Sequence, residues 1–196
     1  MEVGKKSSLS YKLNTRQIAV IGMLSSISII LGLTGYGFIP LPVAKATFMH
    51  VPVIIGAILE GPVVGAMIGL IFGVFSIFQN LANPNLLSFA FINPLVSVLP
   101  RILIGITSYY FYRLIAVRFK TLGIGIGAAV GSLTNTIGVL GMIYLLYAAR
   151  YAEVKQIAVN TAAKVIFGVA LTNGIPEAII AIIITIPVVM AITRRK

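Results

Sequence analysis

Two ionisable residues stand where water should be scarce. Arg101 follows Pro100 in a mostly apolar run, and Glu177 follows Pro176 in another. An ionised side chain in hydrocarbon is costly, so each needs a partner or a polar cavity. They could pair with each other, or each could bond backbone groups freed by its proline. Alternatively, one or both line a cavity. Glu60 differs, because the Gly61-Pro62 turn beside it puts it at a wet edge. Asn135 and Asn173 also fall within apolar segments, and Asn93 precedes Pro94. Asparagine both donates and accepts, so it suits recognition of an amide, a hydroxyl or a heteroaromatic ring. The same property lets it stitch helices together. Between apolar segments stand Tyr36, His50, Gln79, Asn80, Asn83, Phe89, Tyr147 and Tyr151, which could roof a pocket. Tyrosine at a membrane edge is also an interfacial anchor.

Other chemistries lack their residues. Cysteine is absent, which removes disulfides, thiolate catalysis and cysteine metal sites. His50 is the only histidine and has no carboxylates near it in sequence, so no metal site is expected. There is no G-x-x-x-x-G-K-[ST] loop, so the chain is not expected to hydrolyse ATP. No Ser/His/Asp set or carboxylate pair marks a reaction centre, and neither enzymatic activity nor a cofactor is expected.

The elements that must position these residues are membrane helices. Of 196 residues, 59% are hydrophobic and 10% charged, with mean hydropathy +1.06. A soluble domain carries about 25% charged residues, so here the surface must face lipid. Lys and Arg number 15 against 4 Asp and Glu, a formal net charge of +11. In a soluble chain that would suggest nucleic acid, but no basic face alternates with aromatics. The excess reads as the basic bias of cytoplasmic loops, and no nucleic-acid partner is expected. The first apolar run, Ile18 to Leu33, leads into TGYGFIPLP without a small-residue cleavage site and reads as a retained span.

Six segments follow from the apolar runs and their breakers: Arg16–Leu33, Thr47–Leu59, Val63–Phe78, Asn93–Tyr112, Leu122–Tyr147 and Asn160–Ile192. Asn93 is placed to cap the fourth, with Pro94 at its first position. The last exceeds one straight span, so its first turns are expected to form an outer helix or loop. The second is short, and charge decides whether it crosses. If it does, Lys5, Lys6, Lys12, Arg16, Arg113, Arg118, Lys120 and Arg194 to Lys196 share one side, leaving Lys45, Arg150, Lys155 and Lys164 opposite. That arrangement obeys the positive-inside rule. The expectation is an all-α, six-helix membrane bundle with both termini cytoplasmic: a basic N-terminus over residues 1–15, the membrane domain over 16–193 and a basic tail over 194–196. Glycines 61, 65, 69 and 73, and again 123, 127 and 131, recur every fourth residue. Such ridges admit a close backbone, within the bundle or on a partner.

Three stretches resemble the substrate-binding S components of energy-coupling factor (ECF) vitamin transporters: Ala46 to Pro62, Phe91 to Gly105, and Thr172 to Glu177. The resemblance runs from about Arg16 to Ile192. It implies a six-helix subunit of a prokaryotic plasma membrane that captures a water-soluble vitamin at the outer face. Pantothenate, cobalamin and pyridoxine are candidates, and a lid of the loops after the first and third segments would close over the ligand. Its partners would be a transmembrane coupling protein and two cytoplasmic ATPases. The family's first helix meets the coupling protein through A-x-x-x-A. Here Ala19 is followed by Met23, and Gly22 and Ser26 supply a shifted small pair. Mapping the family's binding region implies ligand contact by Asn93, Asn135, Asn173, the loop from Gln79 and Asn80 to Phe89, and Tyr36. It also favours Lys164 for an anionic ligand. Arg101 falls deeper and is expected to be structural, paired with Glu177. The rival expectation is a stand-alone secondary carrier that uses Glu177 as an ion or proton site.

Overall fold

The computed structural model describes residues 12–40 and 45–194. Most of the basic N-terminal stretch, part of the loop after the first segment and the last two residues lie outside the described residues. Helix α1 spans Thr15–Thr34. Asn14 caps it: its Oδ1 accepts from Gln17 N at 2.8 Å, and Gln17 Oε1 accepts from Asn14 N at 3.1 Å. This reciprocal box satisfies two otherwise orphaned amides. Gly35 ends the helix at φ 74°, a left-handed position that glycine takes without strain. Strands β1 (Phe38–Pro40) and β2 (Lys45–Thr47) then pair antiparallel, Phe38 opposite Thr47.

Helix α2 (Val51–Glu60) runs back toward the start of α1, where Arg16 and Glu60 pair at 2.6 Å. Gly61, at φ 103°, reverses the chain into α3 (Pro62–Ala82). Short helices α4 (Ser88–Phe91) and α5 (Pro94–Ser97) lead into α6 (Leu99–Ala116). Two long helices complete the bundle, α7 (Lys120–Lys155) and α8 (Val159–Thr193). Asn93 caps α5 as its Asn-Pro pairing predicts, its Oδ1 accepting from Leu95 N at 2.9 Å.

The glycine ridges set the packing. A Cβ at Gly65 would fall 2.9 Å from Gly105 Cα, one at Gly69 would strike the Arg101 carbonyl, and one at Gly73 would fall 2.7 Å from the Ser97 carbonyl. Helices α3 and α6 are therefore antiparallel with their backbones in contact. The second ridge does the same for α7 on α6: Gly123 meets Ala116, Gly127 meets Ser108 and Tyr112, and Gly131 meets the Ser108 hydroxyl. Helix α8 returns antiparallel to α7, with Gly174 beside Thr136 and Gly125 beside Ile186. Both ridges are used inside the bundle, where lipid offers no hydrophobic drive and close packing must hold helices together.

These pairings place the start of α1, the α2–α3 turn, the α6–α7 corner and the end of α8 at one end of the bundle. The exposed cations Lys12, Arg16, Arg113, Arg118, Lys120 and Arg194 gather there. Among the described residues, five helical stretches are long and apolar enough to cross a membrane. Outward faces carry exposed Met23, Phe78, Ile137 and Ile183, a surface suited to lipid. The chain is thus an all-helical multi-pass membrane bundle carrying one small ribbon. At 10 residues α2 is only about 15 Å long, half a hydrocarbon layer. The extended chain of β2 leads into it, and Thr47 reaches Glu177 halfway along α8.

Two details depart from expectation. The polar stretch after Tyr147 is helical: α7 breaks at Tyr147 (φ −139°, ψ 22°) and continues to Lys155, burying Tyr151 and Ala152. The sixth segment needs no separate outer piece, because α8 is continuous from Val159 despite Pro176 and Pro187.

Candidate functional site

Above the dry core of Val53, Ile54, Val64, Ile68 and Ile104, the helices part around a polar cavity. It has two adjoining chambers. The larger holds about 260 Å³ and is walled by the α3 face of Phe72, Ser76, Gln79 and Asn80, with Asn83, Asn85, Phe38 and Met49 around it. The smaller holds about 150 Å³ between α7 and α8, against Thr136, Val139, Asn173 and Glu177. Thr47, Phe91, Arg101 and Asn135 belong to both.

Arg101 is held by its own helix start. Pro100 has no N–H to give the Val96 carbonyl four residues back, and Arg101 Nη1 donates to that oxygen at 2.7 Å. The guanidinium lies 5.7 Å from the Phe72 ring centroid and 5.8 Å from that of Phe91, aromatic faces that favour a cation. Its Nε is buried without a partner. The ion pair expected with Glu177 does not form: Arg16–Glu60 is the one salt bridge among the described residues. Of the three fates weighed for Arg101, the pair with Glu177 is absent, while Arg101 both bonds the carbonyl freed by its proline and lines the cavity.

Glu177 is fixed from two directions. Its Oε1 accepts from the Thr47 amide and its Oε2 from the Thr136 hydroxyl, both at 2.8 Å. The carboxylate therefore ties the ribbon to α7 and α8. Asn135 and Asn173 each bury an Oδ1 without a partner. Buried polar atoms in a folded chain are nearly always bonded. Three residues that line one cavity, Arg101, Asn135 and Asn173, each bury a polar atom without a partner, which makes this cavity the candidate ligand site.

Other expected site residues fall into two groups. Gln79 and Asn80 reach the cavity but are also braces. Gln79 Nε2 donates to the Gly32 carbonyl of α1 at 2.8 Å. Asn80 donates to the Ser76 carbonyl and accepts from Asn85 and Ser88, shaping the loop after α3. Asn93, Phe89, Lys164 and Tyr36 are not in its walls. Asn93 Nδ2 donates to the Tyr147 hydroxyl at 3.0 Å, and Phe89 packs edge-on to Tyr147 beneath Arg150. Lys164 is exposed, and Tyr36 is 78% exposed. His50, read as an outer-loop residue, is fully buried at the start of α2, with Nε2 3.0 Å from Ser132 Oγ. Ala19, Gly22 and Ser26 all lie exposed on α1. Nothing stands within 4 Å of a Cβ built at Gly22.

Sequence reasoning set Arg101 apart from the ligand. The reason was its depth, read as a structural role in a pair with Glu177. One carbonyl takes one donor, and a guanidinium has five.

Comparison with known proteins agrees with this architecture. The family model for the substrate-specific component of ECF transporters matches residues 16–189. The pantothenic acid transporter PanT of Lactococcus lactis subsp. cremoris is 32% identical over 171 residues, covering 80% of this chain and 82% of that protein. The pantothenate transporter PanT of Leuconostoc mesenteroides subsp. mesenteroides is 31% identical over 157 residues, covering 76% and 77%. An all-helical membrane bundle, a polar cavity with unpartnered groups and a family match over nearly the whole chain lead to one assignment: this chain belongs to the substrate-specific components of ECF transporters.

Proposed function

We propose that the chain captures pantothenate at the outer face of a prokaryotic plasma membrane and delivers it to an ATP-driven partner. The observation that carries this reading is the set of unpartnered atoms on Arg101, Asn135 and Asn173 around one cavity. Pantothenate is a carboxylate joined through an amide to an acyl end with two hydroxyls. Arg101 suits the carboxylate, because a guanidinium pairs with it in two parallel hydrogen bonds. The asparagine oxygens suit amide or hydroxyl donors. The named relatives support the same ligand. Pyridoxine has no carboxylate for Arg101, and cobalamin is several times too large for about 260 Å³.

In this reading the bundle crosses six times with both termini cytoplasmic, β2 and α2 together making the second crossing. The cations at the Arg16 end support that orientation. The domain limits follow: a basic N-terminus to residue 15, the membrane domain to 193 and a basic tail. The exposed small residues Ala19, Gly22 and Ser26 offer α1 to a transmembrane coupling protein, which two cytoplasmic ATPases would drive. The β1–β2 ribbon and the loop after α3 would serve as the lid, and the loaded bundle would tilt when the partner engages it.

The test is calorimetric titration of the purified chain with pantothenate. Saturable binding of one pantothenate per chain without ATP is expected, with uptake into proteoliposomes only when the partner subunits are present. Absence of binding would remove the ligand assignment. Ion-driven uptake by the chain alone would establish the secondary carrier instead.

A further inference from the structure

The cavity carries opposite charges on its walls. Arg101 stands at the junction of the chambers, while Glu177 closes the smaller one without pairing with it. The Thr47 amide donates to Glu177 Oε1, and Oε2 lies 2.8 Å from the Thr136 hydroxyl. The neighbouring orphans on Asn135 and Asn173 are also acceptors. The smaller chamber is thus rich in acceptors, and among the described residues Arg101, which lines both chambers, is the only cation in their walls.

We infer that Glu177 is a specificity residue that fixes the direction in which the ligand lies. As a carboxylate it accepts hydroxyl donors from one end of the ligand and repels a second anion there, while Arg101 takes the other end. This inference rests on the pantothenate reading. A ligand entering backwards would bring its carboxylate against Glu177 and leave Arg101 facing hydroxyls, so both ends oppose the reversed pose. The same arrangement rejects any ligand anionic at both ends. Like charges brought together inside an interface are a strong discriminator, because water is not available to screen them. The Thr47 amide bond adds a consequence: the carboxylate that selects the hydroxyl end also anchors the ribbon over the cavity.

The probes are pantothenate and pantothenate phosphorylated on its terminal hydroxyl, titrated into the purified full chain. The wild type should prefer pantothenate by about a hundredfold or more, as expected for a like-charge contact. Glu177→Gln, close in shape and without charge, should narrow that ratio by about tenfold or more. Thr136→Val removes a hydrogen bond to the carboxylate but keeps the charge. It should weaken both ligands alike and leave the ratio unchanged. A general loss of packing would also lower both affinities together, so the ratio separates specificity from structure. An unchanged ratio in Glu177→Gln, or an equal narrowing in Thr136→Val, would overturn the inference. Should Glu177→Gln not fold, the wild type still decides through a neutral methanesulfonyl ester of the same hydroxyl. Rejection of the phosphate but not the ester supports charge selection, and equal rejection of both overturns it. Failure of the wild type to bind pantothenate at all would remove the ligand assignment, whereas tight pantothenate binding with an unchanged ratio removes only the role of Glu177.

Discussion

Helix α3 presents two stripes, each repeating about once per turn, and they do opposite work. Gly65, Gly69 and Gly73 press against the backbone of α6 so closely that a methyl group has no room. The neighbouring stripe of Phe72, Ser76, Gln79 and Asn83 faces the cavity. One stripe removes side chains so that two backbones meet, and the other supplies side chains that hold space open. Arg101 joins the two, with its carbonyl against Gly69 and its guanidinium over Phe72. The glycine contact therefore fixes where this cation stands. Substitutions in the first stripe should act through the fold, and those around the second through the ligand.

The largest effect is expected at Gly69. A valine there would drive its side chain into the Arg101 carbonyl, and backbone cannot yield as a flexible side chain can. A loss of roughly 3 kcal/mol or more is expected from such overpacking. It would be read as a sharp fall in thermal stability in detergent. A stable Gly69→Val variant would break the claim that the ridge holds α3 on α6. Next is Arg101→Gln, which should cost about a hundredfold in pantothenate affinity, near 2.7 kcal/mol. Its thermal stability should stay well above that of Gly69→Val, because a glutamine amide can still donate toward Val96. Asn135→Ala and Asn173→Ala should each weaken pantothenate by about tenfold, one hydrogen bond to a buried partner. Lys164→Ala should change affinity by about twofold or less, since Lys164 is exposed and outside the cavity. A large effect there would move the binding site toward the outer ends of α7 and α8.

Much of this was legible because it rests on local rules. Asn93-Pro94 announced a capped helix start, and the glycine spacing announced backbone contact. Asn135 and Asn173 were conspicuous as amides in apolar runs, and both reached the cavity. What stayed hidden depends on backbone atoms and on which face a helix turns inward. The amide that binds Glu177 belongs to Thr47 and leaves no mark in its side chain. His50 read as a loop residue because it lies beside breakers, yet α2 begins deep in the bundle and buries it. Lys164 matched an anionic ligand by charge, but α8 turns it outward. Arg101 and Glu177 looked like natural partners by depth and sign. Their hydrogen bonds to Val96, Thr47 and Thr136 keep them apart, on two walls of one cavity.

The central claim is that Arg101 receives the ligand's carboxylate in this cavity. Its most direct test compares pantothenate with pantothenol, in which that carboxylate is replaced by an alcohol, on wild type and Arg101→Gln by calorimetric titration. The wild type should prefer pantothenate by about tenfold or more, as for a buried charged hydrogen bond, and the variant should lose the preference. An undiminished preference for pantothenate in Arg101→Gln would contradict the account.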